Sequence, residues 1–241
     1  MARPGLFKPL YFLYYGLLYG RSYPFAARLE RRVRAWERAT GRGDAPAPRE
    51  DWDDQYAAGR WDVMHEPDEL PRYRAVSGFL RALRPGAQVL DVGCGDGNLI
   101  EHLGGLELAG YTGVDLSRTA VERARARNAG EGIELVVADA ERWEPLGGNE
   151  VRYDAIVLNE SLYYFEQPLE GALRWRRWLA EDGILIVSSF RTRRSDAIRR
   201  RLLAAWPARD EATIRGPKGT WVVTAHRAAD APAQPARTAP R

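Results

Sequence analysis

A short glycine-rich stretch at residues 89–99, VLDVGCGDGNL, constrains the fold of this chain more than any other feature. Its apolar first part is typical of a buried β-strand, and a helical pattern begins directly after Gly97. Glycines at 93, 95 and 97 let a ligand approach the backbone closely, because no Cβ atom intervenes, and such a turn leaves backbone N–H groups free. The stretch therefore predicts a strand–turn–helix unit with a binding site at the turn, to which Asp91 adds a carboxylate.

The ligand at this turn is not expected to be a phosphate. The phosphate-loop pattern Gly-x-x-x-x-Gly-Lys is absent, and the stretch carries acids rather than lysine. The dinucleotide pattern Gly-x-Gly-x-x-Gly also fails, since Asn98 stands where its third glycine would be. The acids favour a ligand that carries positive charge.

Composition restricts the function classes further. The chain has 241 residues, 45% hydrophobic and 29% charged, which is enough for one globular core and a small addition. Its formal net charge of only +3 does not argue for nucleic acid. With Cys94 as the only cysteine, no intrachain disulfide can form, and a reducing cytoplasm is the expected location.

The first 50 residues are predicted to form a helical extension and linker. The aromatic run at 6–20 is shorter than a membrane-spanning helix needs. The arginine-rich segment 28–38 has helical periodicity, as a surface helix or as an interfacial helix that touches a membrane or a greasy substrate. Pro and Gly at 41–50 indicate a linker. The main domain is expected at 51–227 and a disordered tail at 228–241.

Helical and strand patterns alternate through the main domain, after a helix at 69–83. Strands are predicted at 88–93, 111–116, 133–138, 153–159, 183–188, 211–214 and 220–226, and helices at 98–103, 117–128, 169–179 and 193–206. The apolar runs are continuous, as in a parallel sheet that is covered on both faces. The pattern predicts a doubly wound α/β sheet with its ligand at the carboxyl ends of the strands.

Three carboxylates follow three successive strands. Asp91 stands near the end of the first strand, Asp115 at the end of the second and Asp139 just after the third. In such a sheet an acid after the second strand faces the ribose of a nucleoside and accepts from its hydroxyls. An acid after the third can accept from an adenine amino group. Each could also be a helix cap or a solvated loop charge, but three in register with a glycine turn favour a nucleoside site.

With these motifs the chain resembles the class I S-adenosylmethionine-dependent methyltransferases, bacterial small-molecule type. The resemblance rests on VLDVGCGDGNL, YTGVDLS, VVADAERW, YDAIVLNESLYYF and LAEDGILIVSS in this order, and it covers roughly residues 51–226. It implies a Rossmann-like, seven-stranded sheet, mostly parallel with an antiparallel last strand. It also implies S-adenosylmethionine as cofactor, lying across the ends of strands one to four.

The resemblance further implies a role for each matching residue. The glycines pass under the methionine and ribose portions, Asp91 lies near the amino group, Asp115 takes the ribose hydroxyls and Leu116 packs on the adenine. Asp139 and Ala140 hold the adenine edge, while Asn159 and Glu160 close the methionine end. Cys94 is expected to be a small buried filler. The candidate cofactor-binding residues are Tyr56, Trp61, Asp91, Gly93, Cys94, Gly95, Gly97, Asn98, Asp115, Leu116, Asp139, Ala140, Glu141, Asn159 and Glu160.

The acceptor side is less specified. The segment after strand four lacks Asn-Pro-Pro-Tyr and Asp-Pro-Pro-Tyr, the patterns that resemble base-amino methyltransferases acting on DNA, so a DNA base is not expected. Strand five ends in Ser188-Ser189 and lacks the pair of strand-end aspartates typical of the magnesium-dependent catechol type, so a metal ion is not expected. The predicted acceptor is an oxygen or nitrogen of a small molecule. Candidate general bases are Glu160, Tyr163 and His65. The aromatic residues at 52, 56 and 61 are expected either to fold over the cofactor as a lid or to pack beneath the first helix.

Three alternatives remain open at this point. One is a nicotinamide-dependent oxidoreductase, which the Asn98 mismatch and the absence of Tyr-x-x-x-Lys disfavour. Another is a binding protein that keeps the cofactor fold without catalysis. The third is a protein or RNA methyltransferase, and the lack of a basic, aromatic-studded appended domain speaks against RNA.

Overall fold

A single seven-stranded sheet organises the protein, whose computed structural model describes residues 49–128 and 130–232. The strands have the order β3-β2-β1-β4-β5-β7-β6. Strands β1 to β5 pair in parallel, and β7 is antiparallel to both β5 and β6. The predicted Rossmann-like sheet with an antiparallel last strand is confirmed. The strands are β1 Gln88–Val92, β2 Gly110–Asp115, β3 Ile133–Val137, β4 Tyr153–Asn159, β5 Leu179–Phe190, β6 Asp210–Gly216 and β7 Gly219–Arg227.

Helices cover both faces of this sheet. Alternate residues of strands β1 to β5 enter two separate apolar cores, as at Val89 and Leu90 in β1. One core holds side chains of α2, α3 and α4, and the other holds side chains of α5 and α6. In the described part the helices are α1 Arg49–Ala57, α2 Leu70–Leu83, α3 Asn98–His102, α4 Arg118–Arg127, α5 Pro168–Trp175 and α6 Arg193–Ala205.

The strand order places the site. Successive strands run outward from β1 to β3, and the chain then returns to the other side of β1 with β4. At such a switch point the connections diverge and leave a crevice at the carboxyl ends of the strands. Ser117 caps the start of α4 there, because its hydroxyl accepts the N–H of Ala120 at 3.1 Å.

Two expectations about the carboxyl-terminal half were wrong. The helix expected to reach residue 179 ends at Trp175 and continues as a 3₁₀ turn, while β5 is twelve residues long rather than six. Its first part pairs Leu179 with Tyr153, and a register shift follows before the regular ladder begins at Ala155. The sequence of this first part is typical of a loop, because its charged residues Glu181 and Asp182 lie on the exposed, irregular part of the strand.

The chain also stays ordered beyond the predicted start of the tail. A 3₁₀ turn spans Ala228–Asp230, and Ala228 is buried in the core beside α6. At the other end, α1 begins at Arg49, two residues inside the expected linker. The predicted helix at 28–38, its membrane contact, most of the linker and the tail from 233 lie outside the described residues. Within 49–128 and 130–232, no helix is long and apolar enough to cross a membrane.

Candidate functional site

A cavity of about 530 Å³ lies at the carboxyl ends of β1 to β4. Its size is within the range typical of sites for small molecules and cofactors. All candidate cofactor residues except Gly97 line it, together with residues that the sequence did not single out, among them Met64, Arg72, Tyr73 and Ser161. The structure thus brings the three strand-end acids, the glycine turn and the aromatic segment around one space.

The glycine turn forms the floor of this cavity. The N–H groups of Gly93 and Cys94 both donate to the carbonyl of Val114, which ties the turn to β2. Gly95 has a φ of +56°, and a Cβ there would lie only 2.7 Å from the Tyr56 hydroxyl. Both its backbone conformation and this close contact therefore require glycine.

Gly97 corrects one expectation. It does not line the cavity, and a Cβ there would lie 2.5 Å from the Asn128 amide nitrogen and 3.1 Å from the Cβ of Ala124. The third glycine permits close packing of the turn on α4, so its part in the site is indirect. Cys94 is 7% exposed, and burial raises the pKa of its thiol well above the ordinary value, which fits the expectation of an inert filler.

Asp91 is a buried acid with one unused oxygen. Its Oδ2 accepts the Tyr111 hydroxyl at 2.6 Å, whereas no group in the described residues bonds to its Oδ1. Burial raises the pKa of Asp91 to about 7, although the bond from Tyr111 acts in the opposite direction. A buried carboxylate oxygen without a donor, on the wall of a cavity, is suited to a cationic ligand group.

Asp115 holds the two loops beside it. Its Oδ2 accepts the N–H of Gly95 and its Oδ1 accepts the N–H of Ser117, both at 2.8 Å. Burial raises the pKa of Asp115, and these two N–H groups offset part of that rise. Each carboxylate oxygen keeps a lone pair after one such bond. Asp115 can therefore accept further hydrogen bonds from a ligand in the cavity.

The acids after β3 mostly hold the backbone. Asp139 accepts the N–H of Glu141 at 3.0 Å. Glu141 in turn accepts the N–H groups of Glu166 and Gln167, at 3.1 and 3.3 Å, from the loop after β4. These bonds join two loops across one end of the cavity. They leave Asp139 and Ala140 at its edge, where the sequence analysis expected the adenine.

Glu160 connects the ends of β4 and β5. It adopts a φ of +62°, the one non-glycine residue in the described chain with positive φ. Its carboxylate accepts the Ser188 hydroxyl at 2.6 Å, the Tyr163 hydroxyl at 2.7 Å and the Phe190 N–H at 2.9 Å. Such a backbone strain persists when several bonds enforce it, and it is common at functional sites. Glu160 lines the cavity, whereas Tyr163, the other candidate base beside it, is not one of the lining residues.

His65 lies outside the cavity, contrary to its expected role as a base. Its Nε2 is 2.7 Å from Asp96 Oδ2, and the Arg127 guanidinium is within 3.0 Å of both ring nitrogens. Because Asp96 and Arg127 contact its two ring nitrogens, His65 fastens the segment before α2 to the glycine turn. The sequence could not show this, because the partners lie 31 and 62 positions away.

Arg72 is the functional candidate that the sequence analysis missed. It lines the cavity and is 1% exposed. Its Nη1 donates to Asn159 Oδ1 at 2.5 Å, and its Nε and Nη2 donate to Glu69 at 3.2 and 3.0 Å. Lys218 also contacts Glu69, at 3.2 Å. Arg72 and the buried Asp91 both line the cavity, so its wall carries a cationic and an anionic group.

Aromatic rings form the outer wall. Trp52 and Trp61 stack with their centroids 5.4 Å apart, and Tyr164 meets both rings edge-on at 5.0 and 6.2 Å. Tyr56 stands 6.0 Å from Trp61 and is nearly buried. All four rings line the cavity, so the aromatic residues at 52, 56 and 61 stand where a lid would lie.

Within the part of the chain that the structure describes, no three His, Cys, Asp or Glu side chains are placed to hold a metal ion together.

Comparison with known proteins places this geometry in a family. A family model described as a methyltransferase domain matches residues 57–226. Malonyl-[acyl-carrier protein] O-methyltransferase of Halalkalibacterium halodurans is 31% identical over 104 residues, 42% of this chain and 38% of that protein. Ubiquinone biosynthesis O-methyltransferase of Alkalilimnicola ehrlichii is 31% identical over 140 residues, 57% of this chain and 53% of that protein. The alignments thus span about half the length of these relatives or less.

Solved structures agree on the fold. The N-methyltransferase NodS of Bradyrhizobium japonicum WM9, in complex with S-adenosyl-L-homocysteine, superposes with a TM-score of 0.60 at 21% identity, covering 70% of this chain and 91% of that one. Magnesium protoporphyrin IX methyltransferase of Synechocystis PCC 6803, also with S-adenosylhomocysteine, gives 0.60 at 15% identity, with 74% and 98% covered. Because the family model matches most of the sequence and the sheet has the implied topology, this chain belongs to the class I S-adenosylmethionine-dependent methyltransferases.

Proposed function

We propose that this protein transfers a methyl group from S-adenosylmethionine to an oxygen or nitrogen of a small molecule, without a metal ion. The observation that carries the proposal is the pairing of Asp91 and Arg72 at one end of the cavity. Asp91 offers an unused oxygen to an ammonium, and Arg72 offers its guanidinium to a carboxylate. An amino-acid end carries both groups, whereas a nicotinamide dinucleotide carries neither.

The remaining cavity residues suit the rest of the cofactor. Asp115 would accept from the ribose hydroxyls, Leu116 would pack on the adenine, and Asp139 with Ala140 would hold its edge. The acids also suit the positive sulfonium, since opposite charges attract strongly in a partly buried site. When bound, the cofactor supplies an already activated methyl group, so positioning of the acceptor provides much of the rate.

Glu160 is the candidate base that we retain. In the transfer, the acceptor atom forms a bond to the methyl carbon as the carbon–sulfur bond breaks, and an acceptor that carries a proton must release it. Glu160 lines the cavity, and its three donors leave one of its four lone-pair positions available. The Tyr163 and Ser188 hydroxyls both donate to its carboxylate, so Tyr163 would act through Glu160.

The names of the relatives support oxygen and nitrogen as candidate acceptor atoms. The names of the two curated relatives include O-methyltransferase, and NodS is an N-methyltransferase. The aromatic wall of Trp52, Trp61 and Tyr164 would border the acceptor. A protein or RNA substrate is the alternative. A cytoplasmic location remains a prediction from the single cysteine.

Calorimetric titration of the full chain tests the proposal. S-adenosylhomocysteine should bind with saturable heat, and NAD should give no heat under the same conditions. We choose the demethylated product because it keeps both charged groups of the amino-acid end. Tight binding of NAD, or no binding of S-adenosylhomocysteine to the folded protein, would contradict the proposal.

Deletion of residues 1–45 should affect cofactor binding less than it affects acceptor turnover or solubility. We expect S-adenosylhomocysteine affinity to stay within about twofold, because every proposed cofactor contact lies at residue 52 or later. Solubility or turnover of the acceptor should suffer more, if the aromatic run at 6–20 covers the core domain or the acceptor mouth. Calorimetry on both forms measures the first effect. A folded truncation that no longer binds the ligand would show that the division at residue 50 is wrong.

A further inference from the structure

We propose that residues 52–65 form a clamp that must open for the cofactor to leave, and that Asp53 and His65 are the positioning residues that hold it shut. The inference rests on the proposed function, because the clamp covers the cavity assigned to S-adenosylmethionine. It concerns the rate of cofactor exchange rather than the identity of the cofactor.

Polar contacts at three residues fasten the clamp along helix α4. At the start of the helix, Asp53 accepts the Ser117 hydroxyl at 2.6 Å and the Thr119 N–H at 3.1 Å. In the middle, Arg123 donates to Asp62 at 3.3 Å. At the end, Arg127 contacts the ring of His65 at 2.9 and 3.0 Å. The contacts at 53, 62 and 65 thus follow the helix in the same order as their partners.

The clamp carries a large part of the cavity wall. Trp52, Tyr56 and Trp61 all line the cavity, and the Tyr56 hydroxyl occupies the space above Gly95 where a side chain would otherwise stand. The indole Nε1 of Trp61 is buried, and no group in the described residues bonds to it. A ligand that lies on the glycine turn would therefore be enclosed by these rings, and it could not leave along this side while they remain in place.

Both ends of the clamp bond to groups that adjoin the ribose position. Ser117 donates its hydroxyl to Asp53 and its backbone N–H to Asp115. His65 contacts Asp96, the residue directly after Gly95, at 2.7 Å. A ligand that orders Asp115 and the glycine turn would therefore also order the groups that hold the clamp. By linkage, a closed clamp would hold the ligand more tightly.

The fastening groups in the middle and at the end of helix α4 are accessible to solvent. The side chains of His65 and Arg127 are 30% and 31% exposed, and that of Asp62 is 65% exposed. Segments held by accessible polar contacts open at lower free energy than the buried core. The clamp therefore combines apolar rings facing the ligand with polar contacts that can exchange for water.

Release of S-adenosylhomocysteine measured by stopped-flow tests the proposal. Asp53→Ala and His65→Ala should each raise the dissociation rate constant about tenfold, as expected when a hydrogen bond to a charged group is lost. Asp53→Asn and His65→Gln keep hydrogen-bonding atoms near the same positions and should have smaller effects. The matched control is Asp182→Ala, which removes an exposed ion pair with Arg84 away from the clamp. Its release rate should equal that of the wild type.

Hydrogen exchange on the unmodified full chain gives a second readout. Amides of 53–65 should exchange at least about tenfold more slowly when S-adenosylhomocysteine is bound, while amides of β7 should change little. The proposal is overturned if the wild type binds this ligand but both alanine variants release it at the wild-type rate, or if clamp amides are unaffected. If the folded wild type does not bind it at all, the proposed function fails instead.

Discussion

Replacement of Arg72 by glutamine should weaken the binding of S-adenosylhomocysteine by roughly a hundredfold, the effect expected for losing charge-assisted bonds to a carboxylate. Adenosine lacks the amino-acid end, so its affinity should be unchanged in the same variant. The glutamine protein should fold, because Lys218 still pairs with Glu69 at 3.2 Å. Calorimetry with the two ligands separates recognition of the carboxylate from general damage.

The matched control for this prediction lies on the same helix segment. Arg84 follows the last turn of α2 and pairs with Asp182 at the surface, so Arg84→Gln removes an arginine without touching the cavity. It should bind both ligands as the wild type does. If Arg72→Gln weakens the binding of adenosine as much as that of S-adenosylhomocysteine, the arginine supports the whole site and does not specifically bind the carboxylate. If neither changes, Arg72 does not face the cofactor.

Asp91→Asn should remove a pH dependence from cofactor binding. Burial raises the pKa of Asp91 to about 7, and only its ionised form attracts an ammonium. Wild-type affinity for S-adenosylhomocysteine should therefore fall roughly tenfold between pH 8 and pH 6, since protonation competes with the ligand. The asparagine variant should bind more weakly at pH 8 and vary little with pH. Adenosine should show no such dependence in either protein.

The stability of the ligand-free protein should respond in the opposite direction. The folded-state pKa of Asp91 lies above its unfolded value, so protons bind more tightly to the folded state. The free energy of unfolding contributed by this group therefore falls as the pH rises from about 4 to about 7, and Asp91→Asn abolishes that fall. Burial lowers the pKa of His226, which gives a loss of stability as the pH falls below about 6.5. Comparing wild type with Asp91→Asn at each pH cancels the His226 contribution.

Denaturant unfolding at several pH values measures this effect. The variant should be the more stable protein at pH 8 and should lose that advantage towards pH 5. An Asp91→Asn protein with the wild-type pH profile for both stability and binding would show that the carboxylate is not the buried, unpaired group described here.

The sequence predicted those parts of the site that depend on local spacing. Gly93, Asp91 and Asp115 stand directly at strand ends, and the direction of a parallel strand decides where its last residue lies. The same reasoning placed the seven strands in their correct segments. It failed for the length of β5, whose irregular first part is stabilised by pairing with Tyr153 and not by its own residues.

Long-range contacts were beyond this reasoning. Arg72 bonds to Asn159, 87 positions away, and His65 meets Arg127 across 62 positions. A signal for Arg72 does exist in the sequence. It precedes the buried Val76 and Leu80 by four and eight residues, so it lies on the apolar stripe of α2. A charged residue on such a stripe indicates a buried, paired group, and in this chain it also lines the site.

A crystal structure of the full chain with S-adenosylhomocysteine tests the central claim most directly. The account predicts the amino group within hydrogen-bond distance of Asp91 Oδ1, the carboxylate at Arg72 and the ribose hydroxyls at Asp115, with Trp61 and Tyr56 closed over the ligand. A ligand bound in the reverse direction along the cavity, or one whose amino-acid end contacts neither Asp91 nor Arg72, would contradict it.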